Sequence, residues 1–253
     1  TTDMLKHPEP GRDAPSEMFS SLQTVSLLNR METSLRQCFS HPSFTQHVTS
    51  MTLHYTNDAA LDSLPRIGPE LARYTSLRIL EVKPATNSET NLTLYVDQIV
   101  PAIEHCTQLE EILLSSFPSL RGRGDESSSE CLNQILSTTL PSGPGTKRAP
   151  LRRLEIPGTP GDQIRLPELR DLLLKKAPHL QSLLVTVNSR TTPLPDPPSA
   201  DCHPSQLTYL TIQDALPGKL TFGVREHEKV ARYFDNNFPP LQRITLTPAM
   251  PER

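Results

Sequence analysis

Along the chain an apolar-x-x-apolar-x-apolar pattern recurs as Val48-Met51-Leu53, Leu77-Leu80-Val82, Leu109-Ile112-Leu114, Leu151-Leu154-Ile156, Leu180-Leu183-Val185, Leu207-Leu210-Ile212 and Leu241-Ile244-Leu246. Its first positions are separated by 29, 32, 42, 29, 27 and 34 residues. Val, Ile, Leu and Met fill 61 of 253 positions, so chance alone supplies roughly three or four such triplets. The regular spacing is therefore the signal. Two further matches, starting at Leu22 and Leu169, fall within helical periodicity and read as background.

Between the triplets the period changes from two to about 3.6. Leu92, Val96, Ile99, Val100 and Ile103 form one helical stripe, which Pro101 should kink or shorten. Leu132, Ile135, Leu136 and Leu140 form a second, entered through Ser127-Ser128-Ser129-Glu130, a run able to supply an N-cap. Leu169, Leu172 and Leu173 follow Pro167, a residue favoured in the first helical turn. Val230, Phe234 and Phe238 make a fourth stripe, and Leu61 to Arg73 predicts a shorter helix with Pro69 near its first turn. Leu27, Met31, Leu35 and Phe39 share a face, which predicts an N-terminal capping helix over 17–39.

The expected fold is thus α/β, with about seven strands at roughly 32 residues per unit, parallel and joined by right-handed helical crossovers. Residues 1–16 are expected to be disordered, and residues 17–253 to form one solenoid with loop insertions at 116–130, 141–150 and 188–206. The positions flanking each strand's inward pair decide between an open doubly wound sheet and a solenoid. They include Ser50, Thr52, His54, Glu81, Lys83, Glu111, Arg153, Glu155, Thr211 and Thr245, mostly polar. A sheet covered on both faces reads instead as continuous apolar runs. One face is therefore expected to be wet, which a curved solenoid with outer helices provides.

Composition narrows the function classes. The 25 basic and 28 acidic side chains give a net charge of -3, which excludes a sequence-wide polycation for nucleic acid. No apolar run approaches the roughly 18 residues of a membrane span, so no membrane partner is expected. The four cysteines, Cys38, Cys106, Cys131 and Cys202, lack CxxC and zinc-ligand spacing, and read as reduced thiols of an intracellular protein, cytoplasmic or nuclear. Leucine supplies 37 residues and tryptophan none, as suits a core rebuilt in each repeat.

With those residues in view, the chain resembles leucine-rich-repeat proteins of the ribonuclease-inhibitor-like type over roughly residues 45–247. The helix-to-strand junctions Ile103-Glu104-His105-Cys106-Thr107-Gln108-Leu109 and Leu173-Leu174-Lys175-Lys176-Ala177-Pro178-His179-Leu180 are similar to the cysteine-containing repeats of F-box/leucine-rich-repeat proteins. There a Cys, or an Ala followed by Pro, precedes the strand's first leucine by three residues. The resemblance implies a right-handed leucine-rich-repeat solenoid, and binding of a protein partner, with F-box relatives presenting substrates to a ubiquitin ligase. A role as ubiquitin ligase adaptor is implied only if an F-box lies outside this chain.

Catalytic motifs are weak. No Gly-x-Ser-x-Gly, His-Glu-x-x-His or P-loop is present, and Gly122-Arg123-Gly124 lacks the last glycine and the lysine of a phosphate loop. His41, His47 and His54 are spaced six and seven apart, which places no two on one helical turn. No catalytic residue, metal ligand or cofactor is expected. An enzyme on an open parallel sheet is the alternative. The expected site is the concave sheet face, with Ile79, Leu113, Leu184 and Tyr209 as apolar anchors among Glu81, Lys83, Glu111, Arg153, Glu155 and Arg243. Tyr209, Arg153 and Arg243 are the leading residues, because aromatic and arginine side chains dominate interface energetics.

Overall fold

A computed structural model describes residues 22–29, 42–85, 92–117, 119–122, 124, 126–140, 147–156, 164–188, 204–214 and 233–248. These form strands β1 (Thr24–Asn29), β2 (Ser50–Tyr55), β3 (Ile79–Pro84), β4 (Thr93–Tyr95), β5 (Glu111–Leu113), β6 (Ser119–Arg121), β7 (Arg153–Glu155), β8 (Ile164–Arg165), β9 (Ser182–Asn188), β10 (Tyr209–Asp214) and β11 (Arg243–Pro248). The helices are α1 (Pro42–His47), α2 (Asp58–Leu61), α3 (Leu64–Leu71), α4 (Val96–Glu104), α5 (Ser128–Thr138) and α6 (Leu166–Lys176), with a further helical turn at 233–237.

The strands pair in the order β1-β2-β3-β5-β7-β9-β10-β11, all parallel, with β8 beside the end of β9. That order never reverses along the chain. Doubly wound sheets bind ligands where the strand order reverses, and this sheet has no such point among the described residues. The helices α3, α4, α5 and α6 pack against one another in the same sequence as the strands. The result is a repeating β–α, solenoid-like architecture with a curved parallel sheet.

Alternation makes the core. In β2 and β3 the inward residues Met51, Leu53, Tyr55, Leu80 and Val82 are fully or almost fully buried, while their neighbours remain partly accessible. All three residues of each triplet from Val48 to Ile212 are buried, and they merge with Ile67, Leu71, Ile99, Ile103, Leu132, Ile135, Leu169 and Leu173 of the helices in one cluster. A buried side chain of this size stabilises by roughly 1.5–3 kcal/mol. Each unit's apolar set is covered mainly by its neighbours. The seventh triplet is weaker: Leu241 is half-buried, and Ile244 on the last strand is 36% exposed.

Backbone hydrogen bonds repeat with the sequence. At seven consecutive junctions one carbonyl accepts two successive N–H groups of the next unit. Gln23 O accepts Thr49 and Ser50, Thr49 O accepts Arg78 and Ile79, Arg78 O accepts Glu110 and Glu111, and Glu110 O accepts Arg152 and Arg153. The series continues from Arg152 O to Gln181 and Ser182, from Gln181 O to Thr208 and Tyr209, and from Thr208 O to Gln242 and Arg243. The turn before the strand also recurs: Leu77 N–H donates to Tyr74 O, Leu109 to Cys106 O, Leu180 to Ala177 O and Leu241 to Phe238 O.

Several expectations are corrected. Residues 24–29 form β1, not part of a helix over 17–39, so Leu22-Val25-Leu27 begins a genuine repeat: Val25 pairs with Met51 and Leu27 with Leu53. The main sheet therefore exceeds the expected seven strands. The segment 116–130 is not simply a loop insertion, because it holds β6, which pairs with β4 in a small second sheet, and the start of α5. Pro69 stands inside α3, and Pro65 occupies its first turn. The helix after Leu92 starts only at Val96, and it runs through Pro101 for nine residues in all. Leu169 lies in α6, as the background reading required. Residues 1–16, and most of 141–150 and 188–206, lie outside the described residues.

Candidate interaction face

Strand register places the outward residues in rows. The parallel pairings align Thr24, Ser50, Ile79, Glu111, Arg153, Ser182, Tyr209 and Arg243 in one line across the sheet. The next row runs Ser26, Thr52, Glu81, Leu113, Glu155, Leu184, Thr211 and Thr245. A third begins Leu28, His54 and Lys83. All ten residues expected at the site fall in these rows, on the face opposite the helices. Neighbouring strands lie about 4.8 Å apart, so eight strands spread each row over roughly 34 Å.

The centre of this face is electrostatically matched. Arg153 donates Nε to Glu155 Oε1 at 3.0 Å and a second guanidinium N–H to the same oxygen, and it stands 3.6 Å from Glu111. Ser115 Oγ donates to the other Glu155 oxygen at 2.6 Å. One strand pair away, Lys83 Nζ donates to both oxygens of Glu81 at 3.1 and 3.0 Å, and Thr52 Oγ1 donates to Glu81 Oε2 at 3.0 Å. Exposed pairs of this kind are worth about 0–1 kcal/mol each. They organise the surface without holding the fold.

The two ends differ. At the β1 end Ser26 Oγ and His54 Nε2 are 2.9 Å apart. Partial burial, with Lys83 beside it, lowers the His54 pKa against a weaker opposing effect of Glu81. At the other end Tyr209 is 50% exposed and Arg243 is exposed. Arg243 makes no ion pair among the described residues. Ile79, Leu113 and Leu184 are half-buried between these ends.

Leu28, 52% exposed, belongs to the face and escaped sequence reasoning. The Leu22-Val25-Leu27 triplet carried its signal, because an inward Leu27 turns Leu28 outward. A second missed feature is Arg148, three residues before Leu151 in the place that Cys106 holds before Leu109. Its guanidinium donates to the carbonyls of Ile103 at 2.7 Å and Glu104 at 2.9 Å, and to Cys106 O at 3.4 Å. It thereby caps the C-terminal end of α4, where unsatisfied carbonyls favour a cation.

Among the described residues no group of three or more His, Cys, Asp or Glu side chains stands together as a metal site requires, and no helix is long and apolar enough to cross a membrane. Cys106 and Cys131 are buried thiols. Fold and face together define a repeat protein whose units each add one strand to a common sheet. Compared with models of known protein families the chain matches none, and no curated protein is significantly similar to it.

Proposed function

We propose that this chain is a non-catalytic protein-interaction module of leucine-rich-repeat type, which binds a protein partner on the concave face of its sheet. The observation that carries this reading is the unbroken register of outward rows, ending at a half-exposed aromatic ring beside an exposed arginine. Seven or eight strands span enough surface for the approximately 800 Å² per partner of an ordinary interface. The finer reading is substrate recognition for an F-box-type ubiquitin ligase. It is supported by the shared turn at the Cys106-Leu109 and Ala177-Leu180 junctions, the segments that resemble F-box/leucine-rich-repeat proteins.

The test is affinity capture with the wild-type chain and with a variant carrying Arg153→Ala, Tyr209→Ala and Arg243→Ala, partners being identified by mass spectrometry. Loss of a specific partner with unchanged thermal unfolding is expected. Equal recovery of every partner overturns the concave-face assignment. Ubiquitin-ligase subunits among the captured proteins would support the finer reading, and capture of a specific partner without them would remove it.

A further inference from the structure

We infer that the β9–β11 end of the sheet face receives an extended acidic segment of the partner, with a carboxylate held by Arg243 and an adjoining apolar side chain seated on Tyr209 and Leu184. This rests on the concave-face reading and specifies its ligand. The observation behind it is a division of the face by charge. Outward positions of β3, β5 and β7 carry Glu81, Glu111 and Glu155, and these carboxylates are engaged by Lys83 and Arg153. Outward positions of β9, β10 and β11 whose side chains are described are Ser182, Leu184, Thr186, Tyr209, Thr211, Arg243 and Thr245, with no carboxylate among them.

Arg153 and Arg243 share one row but are not equivalent. Arg153 already spends its donors on Glu155, so an incoming anion must displace that partner. Arg243 makes no ion pair among the described residues, and its planar fork matches a carboxylate in two-point geometry. Around it the hydroxyl groups of Thr211 and Thr245 in the next row are further donors, while Tyr209 pairs directly with Arg243 across the strands. Leu184 lies diagonal to Tyr209, because Tyr209 pairs with Ser182 and Leu184 is two residues on. Donors and one cation beside an apolar strip complement an anion followed by an apolar side chain. A basic segment would meet Arg243 unopposed.

The experiment selects random twelve-residue peptides, displayed on phage, against the whole immobilised chain. Enriched sequences should contain Asp or Glu next to an apolar residue. A synthetic peptide of the consensus should lose at least tenfold in affinity with Arg243→Gln and with Tyr209→Ala, and Arg243→Glu should turn the selection towards Lys and Arg. Absence of any enrichment, or enrichment without acidic excess, overturns the proposal. If the peptides are indifferent to Arg243→Gln but weakened by Lys83→Gln, the acidic-segment assignment fails while the concave-face reading stands. Indifference to Arg243→Gln, Tyr209→Ala and Lys83→Gln alike removes both.

Discussion

Gly68 on α3 faces the backbone of Pro101 on α4 so closely that a β-carbon at position 68 would lie 2.3 Å from the Pro101 carbonyl oxygen and 3.0 Å from its carbonyl carbon. Both obstructing atoms belong to backbone, which cannot swing aside as a side chain can. In an open helix Gly→Ala gains about 1 kcal/mol from helix propensity. Here overpacking, at roughly 1–3 kcal/mol, opposes it. Gly68→Ala should therefore lower the urea midpoint, and Gly68→Val should lower it further. A rise in midpoint for Gly68→Ala would show that the two helices are not in such close contact.

Arg148 should matter more than its place at the end of a long insertion implies. Its guanidinium serves three carbonyls at the end of α4, and partial burial lowers its pKa against the opposing influence of the Cys106 and Glu104 groups. Hydrogen bonds to a charged group are worth about 1.5–3 kcal/mol. Arg148→Met keeps the stem and removes the donors, so destabilisation of that order is expected in chemical unfolding. Faster amide exchange should appear at the Ala149 N–H, which donates to Thr107 O. Arg148→Lys should restore only part, since one ammonium cannot reproduce the fork.

The strand starts were legible because the core demands an inward residue at fixed offsets, and the backbone junctions confirm that Met51, Leu80, Ile112, Leu154, Leu183 and Leu210 occupy equivalent places. What failed has a physical cause in each case. Leu27 and Leu28 are adjacent apolar residues, one inward and one on the open face, so strict alternation is lost in β1 and a helical stripe through Met31 and Leu35 looks better. Leu92, Leu94 and Val96 alternate, but Leu92, Val96 and Ile99 also fit a helix, and the short strand β4 disappears into that stripe. The face was legible in position, since register follows from the aligned triplets. Arg153 and Arg243 sit at the same offset, and what separates them is Glu155 two residues on in β7, where β11 has Thr245, together with Glu111 from the neighbouring strand β5.

Burial raises the Cys106 thiol to about 12, with nearby Arg148 opposing the shift. A group whose folded value lies above its unfolded value stabilises fully at low pH and loses that contribution as pH rises from its ordinary value through the folded one. For Cys106 the window runs from about pH 9 to about 12, with a slope of up to about 1.4 kcal/mol per unit. Cys106→Ala should flatten part of the alkaline loss of stability. In the native chain at pH 8, iodoacetamide should leave Cys106 and Cys131 unmodified and should alkylate both in concentrated urea. Rapid native alkylation of Cys106 would contradict its burial.

The start of α5 predicts an acid-side dependence. Ser127 N–H donates to Glu130 Oε2 at 2.7 Å and Ser127 Oγ lies 3.0 Å from the same oxygen, and these bonds, backbone first, lower the Glu130 pKa. The lowered value means that the cap stabilises above the ordinary carboxylate range and is lost as pH falls through the folded value. Ser127→Ala should cost about 1 kcal/mol at pH 7. It should leave much of the acid dependence, because the backbone donor remains. Glu130→Gln should remove that dependence, as read from urea unfolding between pH 7 and pH 3.

Alternation along β10 allows stability and recognition to be separated within adjacent residues. Leu210 is 1% exposed and sits in the core, while Tyr209, one residue earlier, is 50% exposed on the open face. Leu210→Ala should cost about 2–5 kcal/mol through lost burial and the cavity left behind. Tyr209→Ala removes a larger side chain, yet it should cost well under 1 kcal/mol, as exposed substitutions usually do. The same contrast should hold between Leu154→Ala and Arg153→Ala on β7, where the ion pairs of Arg153 are partly solvated. Thermal unfolding of the four variants measures this directly. A small cost for Tyr209→Ala together with loss of partner binding means that the ring is kept for recognition; a cost matching Leu210→Ala would make Tyr209 a structural residue and strip the proposed docking surface of its main apolar anchor.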